Sequence, residues 1–492
     1  MKNPRSSRVT AGGRGWRVAA RWLAGLALLA GCSQRGSENM LPTRRHVLLL
    51  TVDTLRNDYL SANGYDRPTT PFLDQLLHDG ATFTHAITPE PRTTPALASL
   101  LTGVYPQTTK VRGLNDTLAP DVVSLAALMK RRGYATMAVV SNHILVPERG
   151  LNQGFDVYDG AGDGRDAAET TAAALRHVRG YGPRDAVFLW VHYIDPHVPY
   201  DPPPQLAKAF DPGYQGRYAL SFGETKGGIG DQAYPADLGK ERAVYRNTLP
   251  AAVNAHVRRL YAADIRNTDD HIARLIAGLR AQLGSQWLII FTADHGESLG
   301  GHDYYYDHGE YVYDDTVHVP LAFVFSPDDP LREPRVVHDS VSLVDVMPTV
   351  AELADVPLPK LDYAIAGRSL VPYLRGGSLP SRPVFSECGH SYFPNMVHRR
   401  VTFNLAGRFR AVVVGDWKLI WTPGLPDDTA YELYNVRSDP DEALNLYGPG
   451  QTGTEQMKAF LHEWADSSPP TTRAQPLSDA DRERLRSLGY MK

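Results

Sequence analysis

The sequence predicts an α/β protein: a mainly parallel β-sheet with helices on both faces, followed by a small C-terminal antiparallel subdomain. Three observations carry that reading. Short apolar runs ending in polar residues recur along the chain, as strands buried on both faces do. Segments of helical periodicity separate them, the alternation of a sheet covered on both sides. Beyond residue 400 the pattern changes to short runs broken by turn residues, as in hairpins. With 492 residues, 42% of them hydrophobic, the chain can bury one large core and a subsidiary one.

Residues 1–31 carry Lys2, Arg5, Arg8, Arg14, Arg17 and Arg21 and no acid, and they run into "WLAGLALLAGC". A basic start, a short apolar core and small residues read as a secretory signal. The run is too short to span a bilayer comfortably. Leu29-Ala30-Gly31-Cys32 resembles the lipobox of bacterial lipoproteins. That resemblance implies cleavage before Cys32, acylation of its thiol and a membrane anchor in a bacterial envelope. Ser33 after it resembles signals for export to the outer membrane, so the periplasmic face of that membrane is the expected location. An ordinary cleaved signal beside an incidental cysteine is the plainer alternative. Cys388 is then the only other cysteine, so no internal disulfide forms. Without the six leader cations, 45 Lys and Arg face 55 Asp and Glu, a net of −10. No polybasic surface is left, and nucleic acid is not expected as a partner.

Residues 32–45 are polar and rich in breakers, a tether. "HVLLLTVD" (46–53) is a doubly buried strand ending in an acid. Helical periodicity over 121–134 leads into the apolar "ATMAVVS". "DAVFLWVHYID" (185–195) and "SQWLIIFTADHG" (285–296) are further buried strands, the second preceded by a long amphipathic helix over 258–284. The stretch from Pro199 to Asn247 lacks periodicity and reads as an excursion over the functional face. "YAIAGRSLVPYLRGG" (363–377) reads as the closing helix of a main domain spanning 46–377. Hairpin strands in 407–423 and 430–442 make a subdomain over 378–450, and 451–492 is expected as a helical tail.

In open parallel sheets, ligands bind beyond the carboxyl ends of the strands. Asp53, His197 and the pair Asp294-His295 all fall at such ends. Asp53, Asp294 and His295 can together hold one divalent cation, Mn, Zn or Ca, with the imidazole favouring the first two over an all-oxygen calcium cage. A single Asp after a strand also serves as a helix cap. Asp-His at a strand end has fewer structural uses, because it buries charge where packing does not need it. Thr93, in "PEPRTTPALASLLTGVYP" (89–106), opens a helical apolar pattern, where backbone amides favour anions. A metal-held threonine hydroxyl is a nucleophile. The same hydroxyl can instead cap the helix, and Thr94 caps equally well.

"VLLLTVDTLRNDYLSANGYDRPTTPFLDQL", "TTPALASLLTGVYP", "FLWVHYIDPHVPYDPP", "FTADHGESLGGH" and "YVYDDTVHVPLAFV" resemble, in order over about residues 46–375, the sulfatase family of the alkaline phosphatase superfamily. "GDWKLIWTP" and "YELYNVRSDPDEALNL" resemble that family's C-terminal subdomain. The resemblance implies an alkaline-phosphatase-like fold and hydrolysis of an anionic ester. It implies Asp53, Asp294 and His295 as metal ligands and Thr93 as a nucleophile that also touches the metal. His197 and His308 match positions where basic side chains contact the anion or the leaving oxygen. His143 matches a second such position for substrate binding, although a lone histidine also packs structurally.

The departures from the pattern bear on the chemistry. The family places a cysteine or serine, oxidised to formylglycine, at the Thr93 position, with an arginine four residues later; here that residue is Leu97, and Ala96 also breaks the signature. Cys388 lacks the signature too. Thr54 replaces the second acid of the Asp-Asp pair, and Ser141 replaces a lysine. Nucleotide phosphodiesterases and phosphoglycerol transferases of the superfamily use threonine. A formylglycine hydrate expels sulfate by elimination, whereas a sulfo-threonine has no such exit. A phospho-threonine can be attacked in line by water or an alcohol. The expectation is therefore a metal-dependent hydrolase or transferase of sulfate or phosphate/phosphonate esters acting through Thr93. The alternative is a non-catalytic lipoprotein binding an anionic glycan or lipid headgroup.

Overall fold

Seven residues, His46–Val52, form the first strand (β1), and every one of them is buried. The structure, a computed structural model, describes residues 45–160, 164–222, 250–388, 408–423, 430–448 and 453–467. The expected leader, Cys32 and most of the tether lie outside them. After β1 come β2 (Ala81–Ile87), β3 (Ala135–Val140), β4 (Val157–Gly160), β5 (Val187–Tyr193) and β6 (Trp287–Ala293). The short β7 (Ser298–Leu299) and β8 (Tyr305–Asp307) pair with each other, and β9 (His318–Phe325), β10 (Arg335–Val337) and β11 (Val341–Ser342) follow.

The main sheet is nine-stranded, in the order β10-β2-β9-β6-β1-β5-β3-β4 with β11 also on β2. Neighbours from β6 to β4 are parallel, and β9 runs antiparallel to both β2 and β6. β1 and β5 are buried along their whole length, so apolar side chains serve both faces, as the continuous runs imply.

Register fixes the site. Val52 pairs with Tyr193 on one side and Ala293 on the other, so Asp53 and Asp294 leave adjacent strands at one level. Val140 pairs with His192, which brings the residues after β3 to the same edge. The helix Ala251–Leu283 crosses behind it, and its Tyr261 hydroxyl donates to the Thr54 carbonyl (2.6 Å) and accepts from the Arg56 amide (3.0 Å). That helix also presents Asp269 to the amides of Phe72 and Leu73 (2.9 and 2.8 Å), satisfying the start of helix Pro71–His78.

Two elements differ from the sequence reading. Over 363–377 the helix shrinks to Val371–Leu374, with Pro372 in its first turn, where proline is tolerated. Upstream, the Ala366 and Gly367 amides bond to the Gly103 carbonyl (3.0 and 2.9 Å), so the chain there closes the end of the helix Thr93–Thr102 instead of forming one. The 121–134 helix is confined to Leu125–Arg131, because Ser124 caps it through the Ala127 amide.

The C-terminal strands β12 (Val384–Glu387), β13 (Arg410–Val414), β14 (Trp417–Trp421) and β15 (Tyr431–Asn435) form an antiparallel sheet in that order. It joins the main sheet through buried polar contacts. Lys418 Nζ lies 2.6 Å from Asp314 and 2.8 Å from Glu442, and the Tyr313 hydroxyl donates to Glu432 (2.8 Å). The helix Thr454–Asp466 packs on β13 and β14. Among the described residues no helix is long and apolar enough to cross a membrane.

Candidate active site

Asp53, Asp294 and His295 come together at the carboxyl edge of β1 and β6, all fully buried, with potential ligand atoms within 4.8 Å of one another. His295 Nδ1 faces the Gly296 carbonyl at 2.9 Å. A carbonyl only accepts, so Nδ1 carries the proton and Nε2 keeps its lone pair. That lone pair faces Asp294 Oδ2 at 3.4 Å and Asp53 Oδ1 at 3.7 Å, and neither oxygen has a hydrogen-bond donor among the described residues. Three acceptors converging in a buried site repel one another unless a proton or a cation sits among them. The donor set therefore fits a divalent metal.

The electrostatics agree. Burial would raise Asp53, but the bond from His192 and the nearby His197 and His295 outweigh it and hold the carboxyl down at about 2. Asp294 is pushed well above the carboxylate range by burial and then by the charge of Asp53. Burial depresses His295 to about 4, so its ring is neutral at pH 7. A neutral imidazole is what a metal ligand must be.

Thr93 opens the ten-residue helix Thr93–Thr102, every residue of which is buried. Its Oγ1 lies 3.4 Å from His295 Nε2. Arg92, extended at φ −146°, precedes the helix, and Thr93 does not cap it. Neither does Thr94, whose hydroxyl donates to the Leu114 carbonyl at 2.8 Å. His308 lies beside His295, the rings tilted by 34° with centroids 4.3 Å apart, and His197 meets His308 edge-on at 5.2 Å. Burial, then His295 and His197, keep His308 well below the usual histidine range. His143 is half-buried against the Gly164 stretch, where an added Cβ would lie 3.1 Å from its Nδ1.

Sequence reasoning missed several partners. Asn142 reaches Asp53, donating from Nδ2 to Oδ2 at 2.7 Å. His192 Nε2 lies 3.3 Å from the same oxygen, with its Nδ1 2.9 Å from the Thr51 hydroxyl. A histidine inside a doubly buried strand was the available signal, since buried polar groups require partners. Glu297 Oε1 lies 3.3 Å from His308 Nδ1.

The departures also have physical roles. The Ser141 hydroxyl donates to the His192 carbonyl (2.7 Å) and accepts from the Ile194 amide (2.8 Å), stitching β3 to β5. Leu97 is wholly buried in the core. Thr54 sits at φ +54°, strained for a β-branched residue, and its amide donates to Asp294 at 3.3 Å.

A family model described as Sulfatase matches residues 45–356. The chain belongs to the sulfatase family. A second model, for the C-terminal part of N-sulphoglucosamine sulphohydrolase, matches residues 300–466. Human iduronate 2-sulfatase is 24% identical over 551 aligned positions covering 88% of this chain and 96% of its own. The uncharacterized sulfatase YidJ of Escherichia coli is 24% identical, covering 82% and 83%. Among solved structures, the phosphonate monoester hydrolase of Agrobacterium radiobacter superposes with a TM-score of 0.66 at 20% identity, covering 88% of this chain and all of that one. A structure solved with its substrate D-glucosamine-2-N,6-O-disulfate gives 0.67 at 19% identity, over 88% of this chain and 100% of the other. The protein is thus an ester hydrolase of the sulfatase/alkaline phosphatase superfamily with an alkaline-phosphatase-like fold.

Proposed function

We propose that this sulfatase-family enzyme cleaves, or transfers the anionic group from, phosphate or phosphonate esters through a covalent Thr93 intermediate, with sulfate esters as the competing substrate class. One observation carries the reading: a buried hydroxyl, Thr93 Oγ1, lies 3.4 Å from a lone pair that also faces two undonated carboxylate oxygens. Asp53, Asp294 and His295 would hold the metal, with Thr93 beside it. When bound, a divalent cation there supplies Lewis-acid stabilisation of the hydroxyl oxygen and the transferred anion.

The chain's own residues do the rest. Thr93 Oγ1 bonds to phosphorus as the bond to the ester oxygen breaks. His197 and His308 border that space as neighbouring rings. They take up the hydroxyl proton and return one to the departing alkoxide, so an alcohol leaves. Water then attacks phosphorus of the threonine adduct, breaks its bond to Oγ1, restores the hydroxyl and releases the phosphate or phosphonate anion with any substituent phosphorus still carries; an alcohol in place of water gives transfer. Asn142 and His192 orient Asp53 from the side away from His295.

Supporting the phosphorus class is the chemistry of threonine, which lacks the aldehyde exit that sulfate release from formylglycine uses. Supporting sulfate esters are relatives named as sulfatases. A panel of aryl sulfate, phosphate diester and phosphonate monoester substrates, run with Mn²⁺, Zn²⁺ and Ca²⁺, separates the classes. Turnover of sulfate alone contradicts the preference. Absence of both turnover and bound metal favours the non-catalytic binder.

We further propose that Cys32 is the acylated N-terminus and, from Ser33 beside it, that the enzyme is held on the periplasmic face of the outer membrane. Cys32→Ala should move the protein from the membrane fraction to the soluble one; a variant that stays bound and is processed normally overturns this.

A further inference from the structure

The residues on either side of the site are tied to each other by a buried ion pair that takes no part in holding a metal. Arg92 immediately precedes Thr93; Gly309 and Glu310 immediately follow His308. Arg92 Nη2 donates to Glu310 Oε1 at 2.9 Å, and its Nε donates to the Gly309 carbonyl at 3.3 Å. Arg92 and Glu310 are 8% and 3% exposed, so the pair is shielded from solvent. Gly309 sits at φ +90°, and a Cβ there would fall 2.4 Å from Arg92 Nε. The guanidinium therefore lies against bare backbone, an approach that only glycine permits.

We infer that Arg92 and Glu310 form a positioning clamp, setting the nucleophile Thr93 against the proton-transfer residue His308; this rests on the proposed role of Thr93. Thr93 and His308 come from segments more than 200 residues apart in sequence, and the main-sheet ladder does not include the His308 loop. Arg92 joins the two directly, gripping both a side chain and a carbonyl of that loop. An arginine fork holds two acceptors in one plane, which a lysine ammonium cannot reproduce. Attack requires sub-ångström alignment, and a displacement of about 1 Å costs on the order of 100-fold in rate. The Nη2–Nε edge of the guanidinium, the fork that could grip an anion side-on, is committed to Glu310 and Gly309.

The test measures kcat, KM and Tm of the full-length, metal-loaded enzyme, on whichever ester the wild type turns over, for Arg92→Gln, Arg92→Lys, Glu310→Gln and the Arg92→Gln/Glu310→Gln double variant. Expected are a fall in kcat of about 100-fold for Arg92→Gln with KM within about threefold, and a comparable fall for Glu310→Gln. The double variant should be no worse than either single, because both remove one clamp. Arg92→Lys keeps the charge but loses the fork, and should lose about tenfold in kcat at near-native Tm; it carries the test if Arg92→Gln does not fold. A raised KM for Arg92→Gln with a wild-type Glu310→Gln would mean that Arg92 binds substrate, and overturns the clamp. Lowered Tm with unchanged kcat overturns it as well. Thr93→Ala, assayed alongside, keeps the two claims apart: full activity there sinks the nucleophile, whereas a dead Thr93→Ala with an active Arg92→Lys and Glu310→Gln sinks only the clamp.

Discussion

His295 points its Nε2 at Asp294 Oδ2 across 3.4 Å while its Nδ1 is committed to the Gly296 carbonyl at 2.9 Å. Two acceptors held face to face in a buried site are tolerable when a cation lies between them. Replacing His295 by Ala or Asp294 by Asn should therefore remove most bound metal, measured by elemental analysis of the purified protein. Each side chain lies beyond a strand end, so circular dichroism should show the fold kept. Stoichiometric metal in both variants contradicts the site.

Thr94 tests the distinction between attack and scaffolding. Its hydroxyl satisfies the Leu114 carbonyl at 2.8 Å and lies outside the group around His295 Nε2. Thr94→Ala should cost about 1–3 kcal/mol of stability by denaturant unfolding, the penalty for leaving that buried acceptor unmet, and leave kcat close to wild type. A large loss of kcat at unchanged stability would show that the hydroxyls of Thr93 and Thr94 have been assigned the wrong way round.

The joint between the two sheets should respond to pH. One ammonium, Lys418, faces two buried carboxyls, Asp314 and Glu442, and His318 lies 3.9 Å from Asp314. Burial raises Glu442, Lys418 opposes it and Asp314 adds to it, leaving it at about 8 against an ordinary 4.5. The folded state then holds a proton that the unfolded chain has already released. Stability from this group is complete below about 4.5 and is lost as pH rises through about 8. Glu442→Gln should flatten the fall in Tm between pH 5 and 8.5; an identical pH profile rejects the assignment. Lys418→Met, which strands both carboxyls, should destabilise by about 3–5 kcal/mol.

Much of the architecture was legible because β1, β5 and β6 are buried on both faces and so read as unbroken apolar runs ending in polar residues. Asp53, Asp294, His295 and Thr93 stood at strand and helix ends, where local pattern places them; the role expected of Thr93 came from the family resemblance, because a hydroxyl there can cap as well as attack. The partners that orient them did not. Asn142 and His192 reach Asp53 through the pairing of β3, β5 and β1, a register between distant segments that no local window contains. The antiparallel course of β9 was hidden for a related reason, since "HVPLAFVF" reads the same in either direction. Thr94 looked like a cap because a hydroxyl at a helix start usually is one; its tertiary acceptor, Leu114, lies twenty residues on.

In the proposed mechanism Thr93 carries the transferred group. The most direct test is mass spectrometry of the metal-loaded enzyme, acid-quenched within the first turnovers on an aryl phosphonate or phosphate diester, beside Thr93→Ala treated identically. Expected is a phosphoryl or phosphonyl adduct on the peptide containing Thr93, absent from the variant, with turnover in Thr93→Ala reduced by several orders of magnitude, on the scale of a lost nucleophile. An active Thr93→Ala enzyme, or an adduct on another residue, would contradict it.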